Sequence, residues 1–213
     1  MGSCVIFCAG EFDTLARPLS PEDYLIAADG GLRHLQRLGL EPAEILGDFD
    51  SLGYVPGGAR VFPVEKDDTD AMLAVRRGLA AGFREFLIYG GLDGPRLDHT
   101  VANFQTLGFL AERGAWGCLV GRETRAAVIR NGTLEFSNPG EGTVSVFCHG
   151  GEARGVTLQG LYYPLSDGCL SPDYPLGVSN HFTGVPARIR VKQGSLLVLW
   201  SGCGLPTFVP DRT

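Results

Sequence analysis

The sequence predicts an α/β region followed by an all-β region. Over residues 1–122, short apolar runs alternate with helical patterns, and this alternation is typical of a mostly parallel sheet with right-handed crossovers. Over residues 123–213, no stretch has a helical pattern, and β-rich runs are separated by turn residues. We therefore expect an N-terminal mostly parallel α/β sheet domain with helices on both faces and a C-terminal β-sandwich domain, with these two ranges as the domain bounds.

The elements of the first region follow from hydrophobic periodicity. The predicted strands are Cys4–Ala9, Tyr24–Ala28, Glu44–Leu46, Arg60–Pro63, Glu85–Tyr89 and Gly117–Val120. The predicted helices are Gly31–Leu38, Thr69–Ala81 and Asp98–Arg113. By the i, i+3, i+4 rule, the sheet-facing residues are Met72, Val75, Leu79 and Phe83 in the second helix, and Val101, Phe104, Leu107 (or Gly108) and Ala111 in the third.

In the second region, glycine-containing turn signals divide the β-rich runs. The runs are Ala126–Ile129, Thr133–Phe136, Thr143–Cys148, Ala153–Leu158, Ala187–Val191 and Ser195–Trp200. Asn131-Gly132 separates the first two runs and predicts a hairpin, because Asn-Gly favours the backbone of a tight two-residue turn. Residues 160–183 are rich in Gly, Pro and Tyr, and we expect a binding loop there.

Composition excludes several classes of protein. The chain has 213 residues and a net charge of −6, without the basic footprint of a nucleic-acid binder. No apolar run is long enough to span a membrane, and the N-terminus lacks the basic region of a signal peptide, so we expect a cytoplasmic protein. The six cysteines form no CxxC pair or zinc-like spacing, which favours buried thiols over disulfides or metal ligands.

Acidic residues follow the predicted strands of the first region. In GDFDS, Asp48 and Asp50 come after an apolar pair, and in an extended chain their carboxylates point the same way. They could share a divalent cation, or they could belong to a solvated turn capped at Ser51. Several carboxylates in one crevice repel each other unless a cation lies among them, and Mg²⁺ with a substrate phosphate is the simplest solution.

A second acidic group, EKDDTD, precedes the second helix. Capping of the helix accounts for one or two of its acids, because a carboxylate or hydroxyl before a helix accepts hydrogen bonds from the first turn. Three acids with Lys66 exceed what a cap needs, so a metal or a cationic substrate is also indicated, and Lys66 could in turn bind a phosphate.

Two glycine-containing segments complete the pattern. ADGG places Asp29 at the end of a strand and leaves helix-start N–H groups for an anion, although the segment taken alone favours a tight turn. GGLDGPRLDH supplies Arg96, which suits bidentate phosphate binding, with Asp98 and His99 at the start of the third helix. His99 is expected to donate hydrogen bonds or orient a ligand rather than bind metal.

No nucleophile motif accompanies these acids. The sequence contains no G-x-S-x-G, no HExxH and no cysteine with an evident histidine partner, so covalent catalysis is not supported. The acids, the lysine and the arginine instead suit a phosphoryl-type transfer, which requires positioning and electrostatic stabilisation of the phosphate. A Mg²⁺-dependent phosphohydrolase of nucleotides or phosphate esters stays open as an alternative.

The order of ADGG, GDFDS, a D-x-T-D cluster and Gly-Gly…Arg-x-Asp-His resembles the thiamine pyrophosphokinase family. GLYYPL, at residues 160–165, and GVSN, at residues 177–180, are similar to segments of its C-terminal half. The resemblance implies transfer of pyrophosphate from ATP to the hydroxyl of thiamine, giving thiamine diphosphate and AMP. It also implies a homodimer with thiamine bound between subunits. A non-catalytic thiamine- or nucleotide-binding protein that keeps the fold is a second alternative.

The resemblance assigns roles to residues at matching positions. Asp48, Asp50 and Asp70 would bind Mg²⁺, and one of Asp70 and Asp98 would accept the hydroxyl proton. Asp29, Lys66, Thr69, Arg96 and Asp98 would line the path of ATP and the diphosphate. Tyr163, Ser179 and Asn180 would contact thiamine. Stacking of Tyr163 on the cationic thiazolium is physically sensible, and a packed core tyrosine is the alternative.

Overall fold

A computed structural model describes residues 2–50, 52–65, 67–202 and 204–211. The chain forms two compact units, which we call the α/β unit and the β unit. The α/β unit comprises Met1–Thr106 and Gly117–Arg122, and the β unit comprises Leu107–Trp116 and Glu123–Thr213. The strands pair in parallel in the first unit and antiparallel in the second, so both pairing modes occur in the chain.

The α/β unit has the parallel sheet that the strand and helix alternation predicts. Its strands are β1 (Cys4–Phe7), β2 (Tyr24–Ala28), β3 (Glu44–Gly47), β4 (Arg60–Val61), β5 (Glu85–Tyr89) and β6 (Trp116–Val120). The strand order is β6-β5-β1-β2-β3-β4. The central strand β1 is completely buried and pairs in parallel with both β2 and β5. Its carboxyl end therefore lies beside the ends of two other parallel strands, where ligands of open α/β sheets bind.

Three α-helices occur within the described residues: α1 (Leu32–Leu38), α2 (Asp70–Ala80) and α3 (Leu97–Ala111). Their bounds agree with the predicted helices to within two residues. A single 3₁₀ turn, Asp29–Gly31, connects β2 to α1. None of the helices in the described part of the chain is long and apolar enough to cross a membrane.

The buried face of α2 differs from the predicted one. Of the four predicted residues only Val75 is buried, whereas the helix buries Ala71, Ala74, Val75 and Gly78. These are small side chains, and they let the helix approach the sheet closely. A Cβ added to Gly78 would lie 2.5 Å from Cε1 of Phe86 and 2.6 Å from Sγ of Cys4. The prediction failed because it took the largest apolar residues as the contact face.

The predicted face of α3 is also partly wrong. Val101 is 50% exposed, and the buried residues are Asn103, Thr106, Leu107 and Leu110. A polar residue can occupy the buried face because its side chain is satisfied there: Nδ2 of Asn103 donates a hydrogen bond to the carbonyl of Gly91 at 2.8 Å.

The β unit is antiparallel and contains three long strands. Its strands are β7 (Thr124–Phe136), β8 (Thr143–Gln159), β9 (Leu165–Leu170), β10 (Gly177–His181), β11 (Ala187–Ser201) and β12 (Thr207–Pro210). The order is β10-β8-β11-β7, with β9 paired to β8 and β12 paired to β7. Residues 160–183, expected as an irregular loop, therefore contain two strands.

The predicted hairpin at Asn131-Gly132 is wrong. Both residues lie inside β7, and the pairing register with β11 shifts there, so that Lys192–Gly194 face Asn131 alone. Asn131 adopts a φ of 44°, and its Oδ1 accepts a hydrogen bond from the N–H of Gly194 at 3.2 Å. The Asn-Gly pair thus forms a β-bulge, which bends a strand without reversing it.

Among the described cysteines, Cys4, Cys8 and Cys118 are buried, Cys148 is half-buried and Cys169 is exposed. All five are free thiols, and the prediction of buried thiols is confirmed for Cys4, Cys8 and Cys118 and wrong for Cys169; Cys203 lies outside the described residues.

Candidate active site

The α/β unit contains a cleft of about 400 Å³ at the carboxyl end of its sheet. The lining comes from the segments that follow β1, β2, β3 and β5 and from the first turns of α2 and α3. Of the predicted site residues, the lining includes Asp29, Asp50, Thr69, Asp70, Arg96 and His99. The structure therefore brings residues from four separate motifs to one place.

Three carboxylates lie together at this edge of the sheet. Asp29, Asp48 and Asp50 each offer an oxygen, and these oxygens lie within 4.8 Å of one another. Asp29 and Asp48 are half-buried and Asp50 is exposed. Hard carboxylate oxygens at this spacing fit a divalent cation such as Mg²⁺. Asp70, which the family resemblance placed in the metal set, lines the same cleft but is not one of this trio.

The backbone is bent where it presents these carboxylates. Phe49 adopts a φ of 61° and Asp29 a φ of 48°, in the left-handed region that costs a residue with a side chain about 1 kcal/mol or more. The sequence reasoning assumed an extended chain between Asp48 and Asp50. The left-handed φ of Phe49 shows that this assumption was wrong. The Phe49 ring is 3% exposed and anchors the turn, and the N–H of Asp50 donates to Oδ1 of Asp48 at 3.3 Å. Ser51, the alternative cap, lies outside the described residues.

Gly47 allows two of these acidic segments to approach each other. Its φ is 151°, and a Cβ added there would lie 3.0 Å from Cα and 3.1 Å from Cβ of Asp29. A side chain at position 47 would thus push Asp29 away from Asp48. No sequence pattern used above pointed to Gly47, although a glycine directly before a paired-acid motif is a usable signal of close backbone approach.

The second acidic group is divided between capping and the cleft. The Oγ1 of Thr69 caps α2 by accepting a hydrogen bond from the N–H of Met72 at 3.2 Å. Asp70 follows in the first turn and lines the cleft. Asp68 instead forms a salt bridge with Arg76 at 2.8 Å. Lys66 lies outside the described residues.

An ion pair between Arg77 and Glu44 holds α2 against the sheet. Nε of Arg77 donates to Oε2 of Glu44 on β3 at 2.9 Å, and the hydroxyl of Tyr24 on β2 donates to Oε1 of Glu44 at 2.6 Å. The Arg77 hydrogen bond is the main cause that lowers the pKa of Glu44 to about 2, and burial is the main cause that raises the pKa of Tyr24 to about 12. The helix that carries Asp70 is thereby attached to two strands.

The start of α3 carries the predicted phosphate contact. Nη2 of Arg96 donates to Oδ2 of Asp98 at 2.7 Å, and about two thirds of each side chain is exposed. The Arg96 hydrogen bond lowers the pKa of Asp98, and Asp98 in turn raises the pKa of Arg96. His99 is exposed on the same turn and lines the cleft.

Asn103 and Thr100 hold the loop that follows β5 to α3. Oγ1 of Thr100 donates to the carbonyl of Leu92 at 3.0 Å, and Asn103 donates to Gly91 as described above. Both side chains line the cleft, and sequence reasoning missed both. In the sequence, Thr100 and Asn103 are polar residues three positions apart on α3. Without the tertiary structure, such a pair cannot be distinguished from part of a solvent-exposed helix face.

The three predicted thiamine contacts lie in the β unit. The side chain of Asn180 is 3% exposed: its Oδ1 accepts from the N–H of Tyr163 at 2.9 Å, and its Nδ2 donates to the carbonyl of Tyr163 at 2.7 Å. Ser179 has a φ of 58° and donates its N–H to Oγ of Ser145 at 3.1 Å. Tyr163 is 60% exposed, so it is not a packed core tyrosine.

A small hollow of about 130 Å³ adjoins these residues. Tyr163 and Asn180 line it together with apolar side chains that include Leu158, Leu176 and Val178. It offers apolar walls and an exposed aromatic ring beside it, so its chemistry differs from that of the acidic cleft.

An open parallel sheet with carboxylates and an arginine at its carboxyl edge defines the class of α/β enzymes that bind a phosphorylated ligand with a divalent cation. Comparison with known families gives the particular family. The family model "Thiamin pyrophosphokinase, catalytic domain" matches residues 15–114, and "Thiamin pyrophosphokinase, vitamin B1 binding domain" matches residues 133–196. The chain belongs to the thiamine pyrophosphokinase family, which confirms the resemblance found in the sequence, and it is an ATP-dependent diphosphokinase.

Solved structures show the same fold at low sequence identity. Thiamine pyrophosphokinase from Bacillus subtilis is 23% identical, with a TM-score of 0.82 over 93% of this chain and 98% of that one. A thiamin pyrophosphokinase family protein from Enterococcus faecalis is 23% identical, with a TM-score of 0.76 over 94% and 99%. The Candida albicans thiamin pyrophosphokinase is 14% identical, with a TM-score of 0.72 over 94% and 89%. No curated protein sequence matches the chain.

Proposed function

We propose that the chain transfers the pyrophosphoryl group of ATP to the hydroxyethyl oxygen of thiamine, giving thiamine diphosphate and AMP, and that the cleft of the α/β unit holds the triphosphate. The observation that carries the site assignment is the convergence of Asp29, Asp48 and Asp50 within 4.8 Å beside a cleft that Arg96 also lines. An acid trio alone repels a triphosphate, and an arginine alone does not hold a cation. Together they match a triphosphate with its metal.

Mg²⁺ is the cation we propose for this site. Asp29, Asp48 and Asp50 would hold it, and Asp70 faces the same cleft from the first turn of α2. When bound, Mg²⁺ would neutralise phosphate charge. The structure leads us to add Asp29 to the predicted ligands. The role of Asp70 in direct metal binding remains a prediction.

The residues at the helix starts would bind and orient the triphosphate. Arg96 has a planar guanidinium suited to two phosphate oxygens, and it is exposed at the cleft. Thr69 and His99 line the cleft and would donate hydrogen bonds, and Lys66 is proposed as a second phosphate contact. In-line attack by the thiamine hydroxyl on the β-phosphorus needs this positioning and charge stabilisation, and no covalent intermediate.

The proton acceptor is one of two carboxylates. Asp98 is held by Arg96, and this pairing lowers its pKa, so it accepts a proton poorly while the pair persists. Transfer of the Arg96 hydrogen bonds to phosphate would release Asp98 and raise its proton affinity. Asp70 lies in the first turn of α2 and lines the cleft. We keep both as candidates for the general base.

We propose the hollow beside Tyr163 as the thiamine contact of the β unit. Tyr163 presents an exposed ring for a cationic thiazolium, and the walls of the hollow are apolar. Asn180 would act through the backbone of Tyr163, because both ends of its amide are already hydrogen-bonded to that residue. Ser179 retains an exposed side chain for a direct contact.

We also propose that the β unit is a sandwich made by bending its long strands. Thr124–Arg130 of β7 pairs with Ser195–Ser201 of β11, whereas Gly132–Phe136 pairs with Ala187–Val191. The Phe136 and Trp200 rings, from different halves of these strands, meet edge to face with centroids 5.6 Å apart. This contact supports two layers joined at the bulges.

Three further predictions from sequence and resemblance are kept as proposals. They are the domain boundary between residues 122 and 123, the homodimer and the cytoplasmic location. The exposed rings of Tyr162, Tyr163 and Tyr174 supply apolar surface compatible with a homodimer.

A single assay tests the reaction. Purified protein is incubated with ATP, Mg²⁺ and thiamine, and the products are identified by mass. Thiamine diphosphate and AMP are expected. Formation of ADP or free phosphate with unmodified thiamine would contradict the proposal and favour a phosphohydrolase.

A further inference from the structure

Sequence reasoning assigned no role to His34, although the structure buries it beside the cleft. It lies on α1 and is 4% exposed. Its Nε2 lies 2.8 Å from the carbonyl oxygen of Gly10, and Nδ1 contacts Nη2 of Arg37, one turn further along the helix. Its ring packs against that of Phe12, with centroids 4.9 Å apart. The side chain thus connects α1 to the segment that follows β1.

The segment that His34 contacts forms a wall of the cleft. Cys8, Ala9 and Gly10 all line the cleft. The N–H of Gly10 donates to the carbonyl of Gly90 at 3.0 Å, so the Gly10 peptide is held on one side by the loop after β5 and on the other by His34. Removal of the histidine would leave the Gly10 carbonyl without its side-chain donor, while the contact with Gly90 remains.

The partners of the two ring nitrogens define the protonation state. A carbonyl oxygen only accepts, so Nε2 carries a proton; a guanidinium only donates, so Nδ1 accepts and carries none. The neutral Nε2–H tautomer is therefore the one that fits. A second proton on Nδ1 would face the Arg37 guanidinium and abolish that hydrogen bond.

The charges around the ring act in opposite directions. Burial is the largest effect and lowers the pKa of His34, and Arg37 lowers it further; Glu11 and the carbonyls of Gly10 and Ala9 oppose them. The net pKa is below the ordinary value of 6.5, so the neutral form predominates at neutral pH. The stabilisation from this neutral form is complete above 6.5 and is lost as the pH falls from 6.5 towards the lowered pKa.

We propose that His34 is a positioning residue for the nucleotide site: in its neutral form it holds the wall formed by Cys8–Gly10 in the conformation that accepts ATP. It acts through the backbone and does not touch the reacting atoms. The inference rests on the proposed function only in naming ATP as the ligand of the cleft.

The test compares three variants of the full chain. His34→Leu removes both ring nitrogens, His34→Gln places an amide N–H that reaches towards Gly10 and cannot titrate, and Gln36→Leu is the matched control at an exposed position of the same helix. The first readout is amide hydrogen exchange in the peptide that covers residues 8–12, which is independent of activity. The second is the Kd of ATP with Mg²⁺, measured by calorimetry between pH 5 and 8.

His34→Leu is expected to speed exchange in residues 8–12 and to weaken ATP binding, each by about tenfold, the scale of one lost hydrogen bond. His34→Gln is expected to restore most of both. ATP binding by the wild type is expected to weaken as the pH falls below 6.5, and this weakening is expected to be smaller in His34→Gln. Protonation of ATP itself is common to both proteins and cancels in the comparison.

Unchanged exchange in His34→Leu, or changes as large in Gln36→Leu, would overturn the proposal. Faster exchange with an unaltered ATP affinity would also overturn it, because the wall would then be irrelevant to the nucleotide. Failure of the thiamine reaction in the assay above would leave these readouts interpretable, so the two proposals fail separately.

Discussion

The two candidate sites of this chain use polar side chains in opposite ways. In the α/β unit the backbone bends at Asp29 and Phe49, and two of the three clustered acids, Asp29 and Asp50, line a cleft. In the β unit the amide of Asn180 is buried and both of its ends are hydrogen-bonded to the backbone of Tyr163. The first arrangement leaves charge available to a ligand at a cost in backbone strain. In the second arrangement the amide of Asn180 is used for structural hydrogen bonds, and the aromatic ring of Tyr163 stays exposed.

This contrast separates activity from stability. A conservative change at Asp50 should reduce turnover and leave the fold intact, because this member of the acid trio is exposed. A change at Asn180 should reduce stability first and affect thiamine binding only through the position of Tyr163. Three substitutions test these expectations, in order of decreasing effect.

Asp50→Asn should reduce turnover by about 100-fold or more, because it removes a charge from the site proposed to hold the cation. Asp50 is exposed, so the unfolding midpoint should stay within error of the wild type. Steady-state kinetics and urea denaturation measure the two effects. Asp67→Asn, an exposed acid outside the cleft lining, is the matched control. Activity of Asp50→Asn within a fewfold of the wild type would show that the metal assignment is wrong.

Asn180→Ala should lower the free energy of unfolding by about 1–3 kcal/mol, because the backbone N–H and carbonyl of Tyr163 lose their shared partner. The KM for thiamine should rise and the KM for ATP should not. Urea denaturation and initial-rate kinetics measure these changes, with Ser137→Ala at an exposed position of the β unit as control. An unchanged unfolding free energy would refute the structural role of this amide.

Arg77→Gln should give the smallest of the three effects, a change in how the stability of the folded chain depends on pH. Glu44 has an ordinary pKa of 4.5 and a pKa of about 2 in the folded chain, chiefly because of Arg77. A lowered pKa adds stability that is present above 4.5 and lost as the pH falls through about 2. The variant should therefore lose less stability than the wild type over this acid range. Thermal unfolding at several pH values measures it, with Arg76→Gln on the same helix as control. If the unfolding temperature of Arg77→Gln depended on pH as steeply as that of the wild type, Arg77 would not be the cause of the lowered pKa of Glu44.

Much of the α/β unit was predictable because its signals are local. Four of its strands, β2, β3, β5 and β6, are short runs followed directly by a glycine or an acid, and Thr69 marks the start of α2. In the β unit the same kind of signal was misleading. Asn131-Gly132 has the composition of a hairpin turn but forms a bulge, because β11 continues alongside and the side chain of Asn131 pairs with Gly194.

The order of the elements in the α/β unit, the acids at its strand ends and the family all follow from the sequence, because apolar periodicity and motif spacing are properties of the chain alone. The folded structure was needed to show that Asp29 joins Asp48 and Asp50, that Asn103 and Asn180 hold backbone segments, and that His34 contacts a wall of the cleft. These depend on which segments meet across the sheet. Whether a polar side chain contacts solvent, a ligand or the backbone depends on its neighbours in space, and those neighbours lie far away in sequence.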